Sequence, residues 1–115
     1  MPGVSRCGTT SIYEYLKKND SYYLDSNKEP KYYSQFEINP RIGVGDLNLS
    51  KTIVKSKKEY FKRFESKKIT GEASSDYFYY SDLVIPKIIN DFGNKISIII
   101  SIRNPIDRSL SAYSN

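Results

Sequence analysis

Residues 95–102 read "KISIIISI", and no other stretch limits the fold of this chain so strongly. Its near-continuous apolar, β-branched run predicts a central parallel strand covered on both faces. Directly after it comes "RNPIDRSLSAY". Asn104 is suited to cap a helix and Pro105 to occupy its first position, because a cap side chain satisfies an orphan N–H and proline has none to lose. A buried strand that feeds a helix through so short a turn is the repeating unit of an α/β domain.

The rest of the chain alternates in the same way. Ser11–Lys18 carries Ile12, Tyr15 and Leu16 at helical spacing, with Thr9 or Thr10 available as a cap. "YYLDSNKEPKYYSQF" is mixed, and Pro30 biases Glu29 toward an extended or turn conformation. "EINPRIGVGDLNLS" reads as a loop, broken by Pro40, Gly43 and Gly45. From Lys51 to Phe64 an apolar face of Ile53, Val54, Tyr60, Phe61 and Phe64 opposes a lysine-rich one, which predicts a helix. "KKITGEAS" is long enough for one short strand. "DLVIPKIINDFGNK" predicts a helix with Pro86 near its first turn and Gly93 just past its end. The expected fold is α/β with a parallel sheet, in one domain over residues 1–115.

Composition narrows the chemistry. The chain has no histidine, so a His-based triad and a His-ligated metal site are excluded, and a general base must be Asp, Glu, Lys or Tyr. Cys7 is the only cysteine, so an internal disulfide cannot form. The 18 basic and 13 acidic residues leave a net charge of +5, which favours anionic ligands without indicating nucleic acid. No apolar run approaches the roughly 18 residues needed to span a membrane. "MPGVSRCGTTS" lacks the apolar core of a signal peptide. The compartment stays open, and would be the cytoplasm for a bacterial source.

The N-terminal stretch "GVSRCGTTSIYEYL" puts Gly3 and Gly8 five residues apart before a predicted helix. A Gly-rich loop entering a helix N-terminus offers backbone N–H groups and the positive end of the helix dipole to an anion. The ATP-binding version reads G-x-x-x-x-G-K-[ST]. Here Thr9 replaces the lysine that reaches the β- and γ-phosphates. The apolar strand ends on Arg103, where such enzymes normally carry a magnesium-binding Asp. A cation there suits a further phosphate. The spacing alone is equally that of an ordinary Gly-containing turn.

Four motifs, in order, resemble the sulfotransferases that use 3′-phosphoadenosine 5′-phosphosulfate (PAPS), most of all their carbohydrate-directed branch, which includes the heparan sulfate enzymes and bacterial relatives. "GVSRCGTT" is similar to the 5′-phosphosulfate loop G-V-x-K-S-G-T-T, and "KEPKYYS" to K-E-x-x-F-F. "GEASSDYFYY" is similar to G-E-x-S-P-x-Y, and "IRNPIDRSLSAY" to the 3′-phosphate motif R-x-P-x-x-R-x-x-S-x-Y. The resemblance implies a P-loop-like, three-layer α/β domain around a central parallel sheet. It also accounts for the absent lysine, because the family's lysine lies earlier in the loop, at the place of Arg6.

Residue by residue, the resemblance implies the following roles. Arg6 contacts the bridging and 5′-phosphate oxygens; arginine supplies charge and a two-pronged hydrogen bond but does not readily give up a proton. The N–H groups of Cys7, Gly8, Thr9 and Thr10 cradle the 5′-phosphate, and the two threonine hydroxyls help; helix capping is a compatible second role. Cys7 otherwise reads as a small loop residue. Arg103 and Ser111 bind the 3′-phosphate, which requires the strand-to-helix turn to fold back. Glu29 matches the proposed general base, against the plainer reading of a solvated Lys28–Glu29 pair. Lys28 contacts the donor or the acceptor. Ala73 departs from the lysine several glycan-directed members carry, which weakens a heparan-like acceptor. Glu72 reads as a loop anchor.

The expected function is therefore sulfuryl transfer from PAPS to a hydroxyl acceptor, taken to be a carbohydrate, with PAPS as co-substrate and no metal required. The rival reading is a P-loop nucleotide kinase or NTPase; a basic nucleic-acid-binding module has no motif behind it. Both ends of the domain are expected to be incomplete. The PAPS-binding part alone is then expected to turn over slowly or not at all.

Overall fold

The computed structural model describes residues 6–36 and 52–114. The segment expected as a loop around Pro40, Gly43 and Gly45 lies outside the described residues. Two short strands, β1 (Tyr22–Leu24) and β2 (Ile69–Gly71), pair in parallel, with Tyr22 opposite Ile69 and Leu24 opposite Gly71. Parallel neighbours need a crossover connection. Helix α1 (Thr9–Lys17) precedes β1, and α2 (Lys57–Lys62) lies between the two strands in sequence. A 3-10 turn (Ser75–Phe78), α3 (Ser81–Phe92) and α4 (Pro105–Tyr113) follow β2. The molecule is a mixed helix–strand fold with a small parallel sheet.

Local chemistry explains most element ends. Gly8 caps α1 at φ 79°, a left-handed conformation that glycine takes without steric penalty. The Asn104 side chain accepts the N–H of Ile106 at 2.9 Å and Pro105 opens α4, as the sequence predicts. Gly93 ends α3 at φ 71°, its N–H donating to the Ile89 carbonyl at 2.8 Å.

Three expectations change. Among the described residues, the helix expected from Lys51 to Phe64 is interrupted over 53–56, where the N–H of Val54 donates at 2.8 Å to the carbonyl of Pro30, and Ser56 caps the start of α2. Pro86 sits inside α3, which begins at Ser81, rather than in a first turn. Residues 95–100, expected to be the central strand, form no strand ladder among the described residues; only Ser101 makes an isolated bridge. A strand exists through its paired neighbour. Here a cavity of about 580 Å³ is lined both by Ile69–Gly71 of β2 and by residues 95–99, and Ile98 and Ile100 each stay 52% exposed.

The core is aromatic. Tyr33, Val54, Tyr60, Tyr77 and Val84 are buried together, with Phe61, Phe64 and Phe92 packed against them. Tyr32 stacks on Tyr60 at 4.3 Å between centroids, and Phe61 stacks on Phe92 at 5.3 Å. Such pairs add stabilisation beyond the area they bury. Tyr13, Leu24 and Ala73 form a second cluster that joins α1 to the sheet. The Tyr13 hydroxyl donates to the Asp25 carbonyl at 2.7 Å, which fixes α1 against the end of β1. Among the described residues no helix is long and apolar enough to cross a membrane.

Candidate functional site

The loop before α1 is bent by two residues with positive φ, Arg6 at 68° and Gly8 at 79°. For arginine that conformation is uncommon, and such strain persists where surrounding contacts impose it. Two contacts do so from the segment around the start of the C-terminal motif. The Ser101 hydroxyl donates to the carbonyl of Cys7, and the Arg103 guanidinium donates to the carbonyl of Arg6 at 3.4 Å. The first N–H groups of α1 have no partner within the helix. Gly8 offers them no side-chain cap.

A second arm reaches this loop from the turn after β1. Lys28 Nζ donates to the Thr9 hydroxyl at 3.2 Å and to the Thr10 hydroxyl at 3.1 Å, and pairs with Glu29 Oε1 at 3.2 Å. Lys31 Nζ pairs with Glu29 Oε2 at 3.6 Å. Lys31 itself has φ 49°, and its N–H donates to the hydroxyl of the fully buried Ser74 at 3.1 Å.

These arms enclose one concavity of about 380 Å³, lined by Arg6, Gly8, Thr9, Thr10, Lys28, Glu29, Arg103 and Ser111, with Ser75 as its ninth wall residue. The N-terminal Gly-containing loop and the C-terminal arginine-containing motif, from opposite ends of the chain, therefore line one space. Ser111 is two turns into α4 and lines the same space as Arg103. Cys7 does not line it; its side chain is buried behind the loop, and its carbonyl anchors the Ser101 hydroxyl. Sequence reasoning left Ser75 and Lys31 unassigned. Ser75 lies within "GEASSDYFYY", at the place where the similar pattern carries proline, and that departure was the available signal.

Cations dominate the rim: Arg6, Lys28 and Arg103 line the space and Lys31 stands behind Glu29. Such a concavity concentrates an anion and stabilises charge that develops on a departing phosphate. Among the described residues, Glu29 is the one carboxylate in the wall. Glu72 belongs elsewhere. It lines the 580 Å³ cavity with Tyr60 and Tyr77, and it hydrogen-bonds with both tyrosines. Burial pushes its carboxyl up to about 7, and burial likewise raises the hydroxyls of Tyr60 and Tyr77, with the Glu72 charge adding to the effect. Ala73, where a glycan-directed lysine was expected to be missing, is 1% exposed in the Tyr13–Leu24 cluster, and its N–H donates to the Lys28 carbonyl at 3.3 Å.

No protein-family model and no curated protein matches the sequence. The structure is similar to the crystal structure of a sulfotransferase from Alicyclobacillus acidocaldarius, with a TM-score of 0.86 and 28% sequence identity. The likeness covers 99% of this chain and 47% of that one, so the chain spans about half the length of its neighbour. That likeness supports a sulfotransferase-family relationship for this chain.

Proposed function

We propose that the chain binds PAPS in the Arg6–Ser111 concavity and serves sulfuryl transfer to a hydroxyl acceptor of carbohydrate type. One observation carries the reading: residues from both phosphate motifs, Arg6, Thr9 and Thr10 from one and Arg103 and Ser111 from the other, line a single space together with Glu29 and Lys28. The 5′-phosphosulfate lies against the loop, held by Arg6, by the N–H groups of Cys7, Gly8, Thr9 and Thr10, and by the two threonine hydroxyls. Arg103 and Ser111 hold the 3′-phosphate. An acceptor hydroxyl attacks sulfur, the bond from sulfur to the 5′-phosphate oxygen breaks, and the acceptor proton passes to Glu29. Charge left on adenosine 3′,5′-bisphosphate is stabilised by Arg6 and Lys28. The products are a sulfate ester and that bisphosphate.

Calorimetric titration tests the donor half of this reading. Adenosine 3′,5′-bisphosphate is expected to bind, and Arg103→Ala to weaken it about tenfold or more, since a hydrogen bond to a charged group is worth roughly 1.5–3 kcal/mol. Adenosine 5′-monophosphate, which has no 3′-phosphate, should lose little on the same change. Magnesium-dependent ATP binding without binding of the bisphosphate would refute the proposal in favour of a kinase-like site.

A further inference from the structure

The stretch leaving β2, Ala73-Ser74-Ser75, is bonded to the Lys28–Lys31 turn at each residue. The Ala73 N–H donates to the Lys28 carbonyl at 3.3 Å. The Ser74 hydroxyl accepts the Lys31 N–H at 3.1 Å, which holds Lys31 at its positive φ. The Ser75 hydroxyl sits astride the Glu29 carboxylate, 3.2 Å from Oε1 and 3.3 Å from Oε2. The first two bonds fix the backbone of the turn. The third acts on a functional group, and it is made by a side chain that also lines the donor space.

Three side chains converge on the Glu29 carboxylate. Lys28 approaches Oε1, Lys31 approaches Oε2, and the Ser75 proton is shared between them. A carboxylate offers about four lone-pair sites. Lys28 and Ser75 hydrogen-bond that of Glu29, while Lys31 at 3.6 Å acts as a charge partner only, so lone pairs stay open to a further donor. Each lysine reaches Glu29 on a long stem with several rotatable bonds, whereas the Ser75 hydroxyl sits one carbon from the backbone of a 3-10 turn whose neighbour Ser74 is fully buried. Ser75 is thus the rigid member of the three. Proline, which the similar pattern carries here, has no proton to donate, so this bond belongs to the chain's own sequence.

We propose that Ser75 is a positioning residue that fixes the rotation of the Glu29 carboxylate and turns an open lone pair toward the acceptor hydroxyl. This rests on the reading of Glu29 as general base. Two kinds of measurement keep the two claims apart. The carboxyl carbon resonance of Glu29, assigned by its disappearance in Glu29→Gln, reports the carboxylate directly. It is expected to move in Ser75→Ala and to return in Ser75→Thr. An unchanged resonance in Ser75→Ala overturns the proposal, even where turnover is too slow to measure.

Sulfate transfer from labelled PAPS gives the second readout. Ser75→Ala is expected to lower kcat about tenfold, with recovery in Ser75→Thr and with adenosine 3′,5′-bisphosphate affinity held within about twofold. On a Glu29→Gln background the same change should add nothing, as expected for two residues acting as one unit. An equal loss on both backgrounds shows that Ser75 acts independently of Glu29, which sinks the proposal. Wild-type turnover in Glu29→Gln instead removes Glu29 as base, while the resonance still decides whether Ser75 holds it.

Discussion

Lys28 and Thr10 are 18 residues apart in sequence, yet the Lys28 ammonium stands 3.1 Å from the Thr10 hydroxyl. The loop that lacks a lysine of its own therefore receives one from the turn after β1. The same ammonium bonds Thr9 and Glu29, so one cation links the loop before α1 to the neighbouring carboxylate. Lys28→Met should lower affinity for adenosine 3′,5′-bisphosphate about tenfold and make binding less dependent on salt, because one phosphate-facing charge is gone. Titration at two ionic strengths checks this. An unchanged affinity would assign Lys28 to the acceptor side instead.

Gly8 offers a test of the loop's backbone. A Cβ built there meets nothing within 4 Å, so sterics with neighbours are no obstacle, but φ is 79°. Gly8→Ala should cost about 1–2 kcal/mol of folding stability from the left-handed conformation alone. It should also weaken bisphosphate binding, since any relaxation of φ re-aims the N–H groups beside it. Urea unfolding and titration together read both effects. Full stability combined with full affinity would show that the loop takes an α-helical φ without loss.

Glu72 makes stability depend on pH. Its carboxyl is raised from an ordinary 4.5 to about 7, chiefly by burial. Between those values the folded chain keeps a proton that the unfolded chain releases, so the unfolded state binds fewer protons and stability falls as pH rises through this window. Below about pH 4.5 both states are protonated and the contribution is fully present; above about 7 it is lost. The drop is on the order of 3 kcal/mol. Glu72→Gln should remove most of this slope while keeping partners for the Tyr60 and Tyr77 hydroxyls. Unfolding midpoints measured from pH 4 to 8 for both proteins would show it, and parallel slopes would place the pH dependence elsewhere.

Much of the site is legible in sequence because its parts are local. The Asn104 cap, Pro105 at the first position of α4 and Gly8 before α1 follow from rules that act over a few neighbouring residues. The same holds for the members of each phosphate motif, which are fixed in spacing by one loop or one turn. The long apolar run of residues 95–102 misled for the converse reason. Residue type reports a preference for strand, but a ladder needs a partner edge, and the described residues place a cavity beside it.

By itself, then, the sequence determined which groups are available: a bent loop entering a helix, an arginine at the end of an apolar run, a carboxylate between lysines and no histidine. Tertiary structure decided which of them meet. The Ser101 hydroxyl reaches the Cys7 carbonyl across 94 residues, and Ser75 reaches Glu29 across 46. Neither contact has a periodicity or spacing that marks it, because each depends on how the elements between pack. Burial of the tyrosine core sets where α2, α3 and the 3-10 turn lie, and the Tyr13–Leu24–Ala73 cluster seats β1 against α1; together they place the Lys28–Lys31 turn and the Ser75 hydroxyl that closes on it.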